Sequence, residues 1–535
     1  MDGRPSRLAV ETSLAALVLL AVFLCGYSAV SSTNFGGSDE WWIRSLGDRL
    51  VVSVPYANRP LNLVWSLPGS LLSRGFVGYH VVNGVYLWLC GVLLYLLLRR
   101  LGSDASLALL AAAFVMVWAP SDRSRLATVK GTFGSGASMT MLLAVVLLVE
   151  ARWRGSRAMM VAAAVIAWAT VRGYEATLPL LLAAPLLVLG LPAGARGWRP
   201  AWWLAWAAPV GLAAAQTLGA AFVSGEARYQ MEITRLDRRP SAVLSRMAFQ
   251  YDRHLFPLVT SDPRELHDAR AALAAAFLLG GAALMRLLRC DERDAHAEPR
   301  RLLATIGGGL AAAGLGYAPY VLSRIGDTTD RTQYLSAPGI ATALAGAAVL
   351  AARPLPARWR WLAAAGLGCW VVAVGTGRIL AMQRYWDGKS LYPVQAATLR
   401  DIKELAPDLK PGTLVVLVDH CGDWPAVFTF RHALEWTYGR RATGFLWRPG
   451  FGGQLFYPTA FGPTGVRTVP WESIQRAWDD PATLHRYDEI VAVRRGTPGC
   501  RVSLAEQWPE ELPPLPPGAR YAPGERILGG PVVDE

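Results

Sequence analysis

Asp39 and Glu40 are adjacent carboxylates, followed at once by Trp41 and Trp42 and, about twenty residues on, by Arg59 in the run Asn58-Arg59-Pro60-Leu61. A carboxylate so placed can take the proton of a hydroxyl as it attacks a carbon, and a guanidinium can balance charge that develops on a departing phosphate. The same residues also read as solvated loop acids beside interfacial tryptophans, rings that anchor at a membrane surface or stack on sugars. Which reading holds depends on the elements that carry the loop.

Those elements are membrane spans. Of 535 residues, 53% are apolar and only 17% charged, and apolar runs of bilayer-crossing length recur. The runs predict about eleven helices, over 8 to 30, 76 to 98, 105 to 120, 134 to 150, 158 to 172, 176 to 192, 200 to 222, 271 to 289, 301 to 322, 333 to 352 and 360 to 381. The first run follows Arg4 and Arg7 but is too long for a signal peptide and has no small-residue cleavage site, so it is expected to stay as a helix.

A net charge of +13 would suggest nucleic acid in a soluble chain. Here the arginines cluster instead in alternate short loops: Arg99 and Arg100, Arg152, Arg154 and Arg157, Arg196 and Arg199, Arg286 to Arg301, and Arg353, Arg358 and Arg360. By the positive-inside rule these loops and the N-terminus are cytoplasmic, and no nucleic-acid partner is expected. Residues 223 to 270 fall outside with eight arginines, balanced by seven carboxylates.

Under this topology loop 31–75 is extracytoplasmic, and Arg59, Lys130, Arg172, Arg324 and Arg331 all lie at outer span ends, where cations can clamp a phosphate or simply touch lipid headgroups. Arg172-Gly173-Tyr174-Glu175 joins two short spans at the outer interface, either as a plain turn or facing a water-filled cavity.

After Met382 charged residues and prolines become frequent. Short runs such as Leu414 to Val418 and Glu489 to Val493 are β-like, so 1–383 reads as a transmembrane domain and 384–535 as an extracytoplasmic soluble α/β domain. Outside the cytosol Cys421 and Cys500 are candidates for a disulfide, and this makes a closed loop the better reading of His420-Cys421-Gly422-Asp423-Trp424 than a nucleophile site. No metal-ligand spacing occurs. Tyr438 to Arg441 and Phe445 to Arg448 either bind glycan or line the membrane junction.

Three segments resemble the GT-C superfamily of integral-membrane glycosyltransferases, in the branch of the protein O-mannosyltransferases and of membrane proteins with tetratricopeptide tails. They are Phe35 to Glu40 with Asn58 to Leu61, Trp118-Ala119-Pro120 to Gly136, and Asp330 to Gly339. The resemblance covers about the first 380 residues. It implies that Asp39 is the catalytic base with Glu40 as its substitute, and that Arg331 and Tyr334 help hold a lipid-phosphate donor. Two departures stand out. Ser121-Asp122-Arg123-Ser124-Arg125 occupies the place where relatives often have a histidine-rich segment, and tetratricopeptide repeats are absent.

The expected function is therefore an inverting hexosyl- or pentosyltransferase in the cell membrane. It moves a sugar from a polyprenyl-phosphate carrier to a glycan, lipid or protein hydroxyl on the outer face. Asp39 would be the base, with Arg59, Lys130, Arg172, Arg324, Arg331 and Tyr334 about the donor phosphate. No cofactor is called for, and a divalent cation is the one addition left open. The alternatives are a transporter or flippase of lipid-linked saccharide, which should show paired half-repeats and acids within spans, and an inactive scaffold of the same shape.

Overall fold

The computed structural model describes residues 4–27, 40–50, 59–73, 75–126, 128–189, 200–223, 237, 239–258, 267–288, 298–323, 332–448, 454, 456–472, 475, 480–496 and 498–529, without the side chains of 4–7, 123, 128, 130, 200, 218 and 220–223. Its apolar runs fold as helices: α1 (Arg4–Tyr27), α4 (Val77–Arg100), α5 (Ala105–Val117), α6 (Thr128–Arg154), α7 (Arg157–Gly173), α8 (Leu178–Leu189), α9 (Pro200–Val223), α11 (Ala269–Leu287), α12 (Pro299–Val321), α13 (Gln333–Ala351) and α14 (Ala357–Lys389). Between them lie the short α2 (Glu40–Gly47) and α3 (Leu67–Leu72), and α10 (Pro240–Leu255). Among the described residues seven helices are long and apolar enough to cross a membrane, and α5 and the segment Glu175–Leu189 are shorter apolar helices. With α7 and α9, helices occupy all the places expected of spans.

Polar side chains start several of these helices where the sequence provides them. Asp104 accepts from Leu107 N and Ser156 from Met159 N, satisfying amides that the first turn leaves without partners. Small residues then let helices close up. A Cβ on Gly309 or Gly339 would meet backbone of the facing helix at 2.6 or 2.4 Å, so α12 and α13 touch main chain to main chain.

The bundle has two unlike ends. At one, Arg99 pairs with Glu11, Arg100 with Glu150, and Arg286 lies over Trp361. The other gathers the C-terminal end of α1, where Tyr27 donates to the Met116 carbonyl, with the starts of α4, α6 and α13 and the ends of α7 and α12.

Beyond α14 come α15 (Tyr392–Leu405), α16 (Val427–Thr437) and, among the described residues, nine strands: β1 (Asp408–Leu409), β2 (Thr413–Asp419), β3 (Ala442–Trp447), β4 (Thr459–Gly462), β5 (Gly465–Thr468), β6 (Thr483–His485), β7 (Ile490–Gly496), β8 (Arg501–Leu504) and β9 (Ile527–Leu528). One sheet runs β3-β2-β7-β8, with β2 parallel to both neighbours and β8 antiparallel at the edge. Every residue of β2 is buried, as a central parallel strand requires. β4-β5-β6 form a small antiparallel sheet, and β1 pairs with β9.

The chain is thus a polytopic helical membrane protein with a C-terminal α/β unit. Two stretches differ from the expected boundaries. Residues 223 to 270, read as loop, contain α10, whose Val243, Met247, Tyr251 and Leu255 pack on the bundle core at helical spacing. α14 runs past residue 383 to Lys389.

Candidate active site

The first two turns of α6 are the hub of the second end. Gly131, Gly134 and Gly136 leave room for three neighbours: a Cβ there would fall 2.9 Å from the Asn83 amide, 2.6 Å from the Tyr334 ring and 2.5 Å from the Trp65 ring. Trp65 continues across to Gly173 at the end of α7, where a Cβ would meet it at 2.4 Å. On a further side, α2 touches α6, and Val129 joins the aromatic core that contains Trp41 and Trp42.

Behind Gly131 the segment Ser121 to Leu126 is tucked into the bundle. Asp122, fully buried, accepts from Ser124 N (3.1 Å) and Ser124 Oγ (2.6 Å). Arg125 is 3% exposed: its Nη2 donates to the Val115 carbonyl at the end of α5, while Nε and Nη1 have no hydrogen-bond partner among the described residues. Asn83 Nδ2 donates to the Arg125 carbonyl (2.9 Å) and its Oδ1 accepts from Ser135 Oγ (2.6 Å), which locks the segment to α4 and α6. Tyr334 Oη donates to the Ser124 carbonyl (3.1 Å). The charges of Asp122 and Arg125 both act on Tyr334 and Tyr27. A buried guanidinium with two open donors is costly unless an anion completes it.

Asp122 also acts on Tyr320, whose hydroxyl bonds that of Tyr174 at 2.6 Å. Tyr174 in turn lies under Arg59, with the guanidinium carbon 5.2 Å from the ring centre. Arg59 Nε donates to Glu175 Oε2 (2.7 Å) and Nη2 to Oε1, a bidentate pair from the turn after α7. Burial works against the Arg59 charge, but Glu175 and the two tyrosines more than restore it, so its pKa is raised. Tyr320, Tyr174, Glu175 and Arg59 thus form one connected polar group, and Asp122, Ser124, Arg125 and Tyr334 form a second. α10 closes the seam: Trp118 Nε1 donates to the His254 carbonyl (2.9 Å), Ser121 Oγ to the Arg253 carbonyl (2.9 Å) and Thr332 Oγ1 to Gln250 Oε1 (2.7 Å).

Of the residues singled out in the sequence, Arg59 and Tyr334 belong to this seam. Arg172 does not turn into it, since Nη1 donates to Thr217 of α9 (3.3 Å). Asp39, Arg324 and Arg331 lie outside the described residues, as does the side chain of Lys130. Glu40 is fully buried at the start of α2, and all of α2 is buried. Trp41 and Trp42 are neither interfacial anchors nor a sugar platform. Trp41 stacks on Tyr392 and meets Phe76 edge-on, so the pair forms core between the first loop and the α/β unit.

Cys421 and Cys500 are joined by a disulfide, and His420 lies beside Glu511 at 3.4 Å. Sequence reasoning missed Asp122, Arg125, Tyr174 and Tyr320 as site residues. The available signal was a charged pair, Asp122 and Arg125, between two strongly apolar runs, where a connection of that length cannot reach far from the bundle.

No family model and no curated protein matches the chain. Among solved structures it is similar to ArnT from Cupriavidus metallidurans bound to undecaprenyl phosphate, at 13% identity over 83% of this chain and 86% of that one, with a TM-score of 0.39. It is also similar to the Archaeoglobus fulgidus oligosaccharyltransferase. The apo form matches at 14% identity over 83% of this chain and 65% of that one, with a TM-score of 0.42. The form tethered to an acceptor peptide containing the NVT sequon matches at 14% identity, 84% and 64%, with a TM-score of 0.38. At these identities and scores the likeness decides nothing about chemistry, which has to be argued from the site.

Proposed function

We propose that the protein is a membrane glycosyltransferase of the GT-C type that moves a sugar from a polyprenyl-phosphate carrier to a hydroxyl acceptor at the extracytoplasmic face, with inversion. The observation that carries the reading is the ring of groups about the α6 end. α2, which begins at Glu40, lies against α6, and the segment that carries Arg125, a buried guanidinium with open donors among the described residues, packs on Gly131 of the same helix. Asp39, with Glu40 beside it, would take the acceptor proton; Arg125, Arg59 and Arg331 would balance charge on the phosphate. The seam's charges lie at one end of the bundle rather than at its midplane, which favours a transferase over a carrier.

The test uses the full chain in nanodiscs with undecaprenyl-phosphate-linked tritiated hexoses and pentoses, and delipidated envelope material as acceptor. Asp39→Asn should lower transfer by about 10²–10⁴-fold, the usual share of a general base, while binding of undecaprenyl phosphate stays within about 2-fold. Transfer that survives Asp39→Asn and Glu40→Gln together would end the assignment of the base.

A further inference from the structure

α10 does not lie on top of the bundle but against its side. Its first half is level with the end of α12: Arg246 pairs with Asp237 and donates to the Ser323 carbonyl, and Asp237 N donates to the Leu322 carbonyl (2.8 Å). Further along, His254 Nδ1 meets the Tyr317 hydroxyl at 2.6 Å, and Tyr251 Oη donates to the carbonyl of Leu310 (2.6 Å), a residue midway along α12. At about 1.5 Å per residue, Tyr317 and Leu310 stand roughly 6 and 16 Å inward of Val321. Half the thickness of a hydrocarbon core is about 15 Å, so the second half of α10 reaches the depth of the lipid chains.

The C-terminal end of α10 is finished as that depth requires. Ser121 Oγ donates to the Arg253 carbonyl and Trp118 Nε1 to the His254 carbonyl, both at 2.9 Å, and Arg378 of α14 reaches the Pro257 carbonyl at 3.5 Å. Carbonyls of a last turn can bond to water at a surface, whereas in lipid they need protein donors. The same end covers α5, whose 13 residues rise only about 20 Å and stop short of a core about 30 Å thick.

The rotation of α10 agrees with its depth. A helix turns about 100° per residue, so Leu244, Met247, Ala248 and Leu255 fall within about 60° of Tyr251, on the half that points inward. None of the four is charged. Arg246 and Arg253 fall on the opposite half, with the Arg253 guanidinium over the Phe249 ring at 5.2 Å, and Asp252 stands between the two halves. Leu244 is 69% exposed and Ala248 is exposed as well, so α12 covers only part of the inward half.

We infer that α10 is an in-leaflet helix: lipid acyl chains cover Leu244 and Ala248, while Arg246 and Arg253 turn toward the headgroups. The bilayer is the occupant that fits, because α10 is joined on both sides to apolar helices of the bundle and its uncharged half is the one that faces the membrane centre. Part of the stretch 223 to 270, which by sequence reads as an outer loop, then belongs to the membrane.

The test attaches bimane to single cysteines of the full chain in nanodiscs, in a Cys290→Ser, Cys369→Ser background. At Leu244→Cys and at Ala248→Cys, lipids brominated midway along their chains should lower the emission at least about 2-fold, and aqueous iodide should quench at least about 5-fold less than at Arg253→Cys. Two inward positions guard against one variant that misfolds. Iodide quenching at both inward positions equal to that at Arg253→Cys would put the face in water and overturn the inference. Emission at both that neither quencher reaches would mean that protein covers the face, a second copy or another part of the chain, and would overturn it as well.

Discussion

Glu175 occupies two of the three guanidinium nitrogens of Arg59, and this limits what Arg59 can do for a phosphate. If Arg59 serves the donor, Glu175→Gln should weaken the competing pair and lower KM for the lipid-linked donor by about 3–10-fold, read in a nanodisc transfer assay. If the pair only fastens the turn after α7 to the first loop, the same change costs stability and leaves KM alone. The expected cost lies between the ~1 kcal/mol of exposed pairs and the ~3–5 kcal/mol of buried ones, because both partners are about a quarter exposed. His254 offers a second test. Burial, partly opposed by its backbone contact with Trp118 and assisted by Arg125, lowers its pKa to about 3. The unfolded chain binds a proton below about 6.5 that the folded chain refuses, so stability rises with pH between about 3 and 6.5. Going from pH 6.5 to 5 should cost about 2 kcal/mol on this account, and thermal unfolding of His254→Gln should show a smaller loss over the same interval.

At the scale of elements, the glycines of α6 and α7 separate required contacts from incidental ones. Gly136→Ala and Gly173→Ala drive a Cβ into the Trp65 ring and should each cost about 1–3 kcal/mol, seen as a lower thermal midpoint in detergent. Gly211→Ala and Gly366→Ala, with nothing within 4 Å of the new carbon, should leave that midpoint equal or higher. The helices themselves were legible in the sequence, because a bilayer-length apolar run has few other ways to satisfy its backbone in lipid. α10 was not, since its charged face hid the Val243, Met247, Tyr251 spacing among arginines and carboxylates. The role of Trp41 and Trp42 was also hidden. A tryptophan pair beside acids has the same composition whether it meets lipid, sugar or a partner element, and only the fold brings Tyr392 and Phe76 to it. Asp122 and Arg125 were visible as residues, but their burial against α4, α6 and Tyr334 of α13 depends on contacts at separations that no local pattern encodes.

For the whole molecule, the two ends of the bundle make opposite demands on the compartments they face. One end holds the arginine clusters, with Glu11 and Glu150 offsetting only part of their charge, and would be drawn to the cytoplasmic side by the positive-inside rule. The other end holds the seam, α2 and the disulfide-bonded α/β unit, and a disulfide persists in an oxidising compartment. Both arguments assign the same orientation, and they are independent, one resting on arginine counts and the other on thiol chemistry. Lys389→Cys, exposed where α14 meets the α/β unit, should react with a membrane-impermeant maleimide on intact cells, while Arg157→Cys, exposed at the start of α7, should react only after permeabilisation. Both are made in a Cys290→Ser, Cys369→Ser background whose parent serves as control, since Cys25 and Cys90 are buried and Cys421 and Cys500 are bonded. The reverse pattern would put the first-loop acid in the cytosol, away from any extracytoplasmic acceptor, and would require the arginine-rich loops to have crossed the membrane against their charge.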